Sequence, residues 1–151
     1  MIVCSLEMSN FKEVALFTLQ ELKEQIDELA KEINAPVKES PTYGTSKRDG
    51  TPHIEINGDV FYYMAYDRGT MTMNRKTHEL QELLYWIFRD ITSRMGFSYE
   101  LDHRDPKVDF RRVAFHHQLE LLEKLNAQWK EIREQEIEQI LETHPYQDQV
   151  N

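Results

Sequence analysis

Cysteine is almost missing from this chain of 151 residues: a single thiol, Cys4, leaves no internal disulfide framework and fits a reducing compartment. Its five glycines are scattered, and none are grouped as a P-loop or a dinucleotide fingerprint, so the common phosphate cradles are excluded. No serine stands in a G-x-S-x-G turn and no histidine lies near Cys4 in sequence, which leaves nucleophilic catalysis without a recognisable elbow. No uninterrupted apolar run nears the roughly 20 residues that a membrane span needs. The start, MIVCSLEMSNFKE, lacks the basic and apolar stretches of a signal peptide. Basic residues are also short: 18 Lys+Arg against 27 Asp+Glu give a net charge of −9, against a nucleic-acid or anionic-membrane partner. The expectation is a cytoplasmic protein without cofactor or metal, and with a basic partner if it has one.

What the chain does have is periodicity. From Thr77 to Met95, Leu80, Leu83, Leu84, Ile87, Phe88, Ile91 and Met95 recur at helical spacing, and Tyr85 and Trp86 flank the stripe. Such a helix has neighbours on several sides, which predicts the central helix of the core, capped by Thr77 and stopped at Gly96. An earlier helix is predicted within residues 1–34, from a cap at Ser9 or Asn10 to about Asn34. Its seam of Ala15, Leu19, Leu22, Ile26, Leu29 and Ile33 packs on the chain's own core or on a second copy. Lys38 to Pro52 reads as a long loop, a place where binding residues are often mounted. Residues 53–76 change to strand period, with turns at Asn57-Gly58 and Asp67-Arg68-Gly69, and predict a three-stranded antiparallel meander. Further helices are predicted at 108–125, with Asp109 near its start, and at 127–142, capped by Asn126 and ended by Pro145. The whole reads as one α+β domain over residues 1–151.

Candidate chemistry is sparse. His116-His117 are adjacent and point about 100° apart on a helix, unlike the i, i+4 pair that grips a metal. His78-Glu79 opens like a zinc-protease motif, but the second histidine position holds Glu82. Arg68 in its turn and Arg111-Arg112 at a helix start suit either internal salt bridges or an anion site. On the last helix Glu131, Glu134, Glu138 and Glu142 fall in one sector, a ridge open to solvent or to a basic partner. Tyr43, Lys47 and Arg48 make the long loop a second partner-binding candidate.

Together, Arg68-Gly69, the helix ELLYWIF from Glu82 to Phe88, Tyr99-Glu100-Leu101, Asp109-Phe110-Arg111-Arg112 and the stretch from Gln118 to Leu122 resemble the immunity protein sixty-three family of bacterial polymorphic toxin systems. The resemblance implies a small cytoplasmic non-enzyme that binds and neutralises a cognate toxin domain. In it Arg68, Gly69, Trp86, Asp109, Arg111 and Arg112 belong to the structural motif and do not mark the toxin-binding surface. Oligomerically the expectation is a monomer or weak homodimer. Two other classes stay open, a homodimeric scaffold that pairs through the first-helix seam and a small hydrolase.

Overall fold

The structure, a computed structural model, describes residues 18–149. It is α+β, with four helices and a four-stranded mixed sheet among those residues. Two compact units divide it: 18–28 with Pro41–Leu84, and Leu29–Ser40 with the chain from Tyr85 on.

In the first unit the sheet runs in the order β1 (Thr42–Tyr43), β2 (His53–Asn57), β3 (Val60–Asp67), β4 (Thr70–Thr77). The meander β2-β3-β4 is antiparallel, with Ile54 opposite Tyr63 and Tyr63 opposite Arg75. A fourth strand was not expected: β1 joins β2 in parallel, Tyr43 beside Ile54. The loop reading of residues 38–52 is corrected accordingly, since it holds β1 and a 3-10 turn at Val37–Glu39. Two residues are too few to show a period of two, so this strand leaves no pattern to read. Phe61, Tyr63 and Ala65 share the buried face of β3 with Ile54, as alternation along a pleated strand requires.

Helix α1 spans Leu19–Glu32, and the expected cap at Ser9 or Asn10 and the seam residue Ala15 lie outside the described residues. Thr18 caps it, accepting the N–H of Glu21 at 3.1 Å and donating to that residue's carboxylate at 3.2 Å. Its end is a Schellman motif: Asn34 takes the left-handed conformation (φ 55°) and Ala35 N–H reaches Ala30 O at 2.9 Å. Leu22 and Ile26 of the seam are fully buried within one chain.

In the second unit α2 (Leu80–Asp102), which starts in the first, meets α3 (Phe110–Leu125) and α4 (Ala127–Thr143). The expected stop of α2 at Gly96 is corrected, because the helix passes through that glycine and runs on to Asp102. Its start moves from Thr77 to Leu80, and Thr77, still in β4, accepts Glu79 N–H at 3.0 Å on the way in. Asp109 caps α3, which therefore begins two positions later than 108, and Asn126 caps α4 by accepting Gln128 N–H at 2.9 Å. Ile87, Phe88, Ile91, Leu122 and Trp129 fill the interior, with Phe88 stacked on Trp129 at 5.9 Å. Each such large side chain contributes about 1.5–3 kcal/mol on burial.

Candidate partner-binding surfaces

The acidic ridge is a property of α4. Glu131, Glu134, Glu138 and Glu142 are all exposed, one sector of the helix away from the buried Trp129 and Ile137. Lys130 approaches Glu134 at 3.6 Å and Glu123 at 3.5 Å, which partly neutralises the ridge at one point. Glu131, Glu138 and Glu142 form no salt bridge among the described residues. Repulsion between like charges at i, i+4 costs about 0.2–0.5 kcal/mol per pair, a cost that a basic partner removes.

The loop candidates separate. Lys47 and Arg48 are exposed, whereas Tyr43 is half-buried in β1 with its hydroxyl fully buried and without a hydrogen-bond partner. Burial, and then the carboxylate of Asp27, push the Tyr43 hydroxyl well above its ordinary pKa. The loop is ordered by its backbone: Arg68 N–H reaches Arg48 O at 3.2 Å, and Gly50 N–H reaches Tyr66 O at 2.9 Å. Arg48 is thereby held against the β3-β4 turn. There Arg68 (φ 52°) and Gly69 (φ 82°) both take the left-handed conformation that a two-residue hairpin turn requires.

Arg111 and Arg112 hold the segment after α4. Arg111 pairs with Asp109 at 2.9 Å and donates to the carbonyls of His144 and Pro145, both at 2.9 Å. Arg112 pairs with Asp148 at 2.9 Å and lies 4.1 Å from the centre of the Tyr146 ring. The Asp109 carboxylate also accepts Gln147 N–H at 2.8 Å. The Arg111 guanidinium, helped by these N–H donors, holds the Asp109 carboxyl far below the usual carboxylate range despite its burial.

Other polar residues carry no sequence signal of their own. Glu136 on α4 accepts the Tyr85 hydroxyl and a 3.3 Å bond from Arg89, and Arg133 lies 3.5 Å from it. Burial, and then Glu136, raise the Tyr85 hydroxyl pKa. Gln118, almost fully buried, donates to Arg89 O at 3.0 Å and Thr92 Oγ1 at 3.2 Å and accepts from Arg133 at 3.0 Å. Trp86 is half-buried beside Tyr85, which packs against Trp129. His116 pairs with Glu120 at 2.9 Å while His117 stacks on Tyr99 at 4.0 Å, so the two rings diverge. Among the described residues no group of three or more His, Cys, Asp or Glu could hold a metal ion, and no helix is long and apolar enough to cross a membrane.

The family model described as Immunity protein 63 matches residues 57–139, more than half of the chain. The chain belongs to the Immunity protein 63 family. The matched region runs from the end of β2 to Gln139 of α4, so it takes in the hairpin turn at Arg68-Gly69, all of α2 and α3, and most of the ridge. The family match leaves out the loop at Tyr43 to Arg48 and the segment clamped by the arginine pair. Neither the curated proteins nor the solved structures compared with the chain give a match.

Proposed function

We propose that this protein is an immunity protein that binds a cognate toxin domain in the cytoplasm and neutralises it by stoichiometric occupancy, without turnover or cofactor. The family match over residues 57–139 is the observation that carries the reading. Net charge and surface support it: the chain is at −9, and three ridge carboxylates on α4 have no cation partner among the described residues. A basic toxin surface would be steered toward such a ridge, with Lys47 and Arg48 as a second contact region. Asp109, Arg111, Arg112, Arg68, Gly69 and Trp86 serve the fold in this reading.

Co-expression with the toxin encoded beside this gene tests it. Growth should be rescued and the two proteins should co-purify as a complex; a toxin that stays lethal in the presence of folded protein would refute the proposal.

A further inference from the structure

At the corner where α2 ends and α3 begins, a cavity of about 410 Å³ opens, lined among others by Glu100, Arg104, Asp105, Pro106, Val108 and Phe110. Two features set this corner apart. Phe110, in its lining, is 49% exposed, and Leu101, next to the lining residue Glu100 in the chain, is 66% exposed. Scattered exposed apolar residues are ordinary, but an exposed aromatic ring that lines a concavity has the anatomy of a protein-binding hot spot.

The lining also has a charge pattern. Glu100 is buried and held by both nitrogens of the Arg104 fork, at 2.9 and 3.0 Å. Asp109 is held by Arg111. That leaves Asp105 as the lining carboxylate with no cation among the described residues, its Oδ1 accepting Lys107 N–H at 2.9 Å and its other oxygen free of any such bond. Phe110 offers an exposed ring and Val108 and Pro106 an apolar wall. An aromatic face, an apolar wall and an uncompensated carboxylate are what an arginine side chain needs for its guanidinium plane, its aliphatic stem and its charge.

We infer that this corner cavity receives an arginine side chain of the toxin domain, with Phe110 under the guanidinium, Asp105 as its counter-charge and Leu101 as an apolar rim contact. The inference rests on the immunity reading and adds to it a contact site and the chemistry of the residue that fills it.

Calorimetric titration of the purified toxin domain with wild type, Leu101→Ala, Asp105→Asn and Phe110→Ala tests it, with a thermal melt of each variant. Asparagine keeps the acceptor for Lys107 N–H and removes only the charge. Phe110 packs on Phe97 at 5.9 Å, so the two other variants carry the test if Phe110→Ala unfolds. Asp105→Asn should weaken binding about tenfold, the scale of one lost charged hydrogen bond. Phe110→Ala should weaken it about thirtyfold or more, as a hot-spot aromatic does, and Leu101→Ala by a smaller but measurable factor. If the wild type binds and every folded variant stays within about twofold of it, the toxin meets another surface; the inference is wrong and the immunity reading stands. Losses with Phe110→Ala and Leu101→Ala but none with Asp105→Asn would put an apolar side chain in the cavity and overturn the arginine. If the wild type itself does not bind, both fall.

Discussion

Gly96 lies against the backbone of Ala114: a Cβ built at position 96 would run into the Ala114 carbonyl oxygen and come within 3.3 Å of its carbon. This close approach lets α3 pack on α2 backbone to backbone, and it explains a glycine in the middle of a 23-residue helix. Gly96→Ala should therefore destabilise the protein by about 1–3 kcal/mol, the range for overpacking. An exposed helical glycine would behave the other way, gaining about 1 kcal/mol from alanine. Urea unfolding gives the sign, and a stabilised variant would contradict the contact.

Asp109 links pH to stability. Its carboxyl is held below the ordinary carboxylate range in the folded chain, mainly by Arg111, so folding favours the ionised form. The contribution is complete above the unfolded value of about 3.9 and is lost as pH falls through the lower folded value. Wild type minus Asp109→Asn, measured by urea unfolding from neutral pH down to pH ~2, should show a stability gap that narrows with acid. Asparagine keeps the helix cap, so at neutral pH the gap should be about 1–3 kcal/mol from the lost charged hydrogen bonds to Arg111 alone. A gap independent of pH would show that the clamp on residues 144–148 does not depend on this charge.

Tyr85 and Glu136 are expected to be coupled. The hydroxyl donates to a half-buried carboxylate that also faces Arg89 and Arg133, so removing either partner leaves the other poorly matched. A double-mutant cycle of Tyr85→Phe and Glu136→Gln should give an interaction energy of about 1–3 kcal/mol, in the range of hydrogen bonds to charged groups. Additive effects would mean that the network is not held together through this bond.

The course of the helices was legible in the sequence because burial repeats along them: Leu83, Leu84, Ile87, Phe88 and Ile91 are all buried, as their spacing requires. Gly96 misled because a glycine that ends a helix and one that admits a neighbouring backbone look the same without the neighbour. Strand β1 was too short to have a pattern. Of the polar contacts, Glu100 and Arg104 sit four residues apart on one strand of sequence and could have been paired from spacing. Glu136 with Tyr85, and Gln118 with Arg133 and Thr92, join residues on different helices, and no local rule marks them. The corner cavity depends on the same kind of long-range placement and was not visible as a motif.

The ridge can be tested apart from the cavity. Glu134→Lys with Glu138→Lys should slow association with the toxin domain and flatten its salt dependence, since long-range steering is screened over about 8–10 Å at physiological salt. Unchanged association rates in stopped-flow measurements would remove α4 from the encounter surface.

Stoichiometric neutralisation is most directly tested by titrating a fixed amount of active toxin with this protein, at concentrations far above the dissociation constant, while toxin activity is followed. Occupancy predicts a linear fall that reaches zero at one equivalent, with no dependence on incubation time or added metal. Full suppression by a small fraction of an equivalent, growing with time, would reveal turnover and contradict it, as would activity that persists at excess.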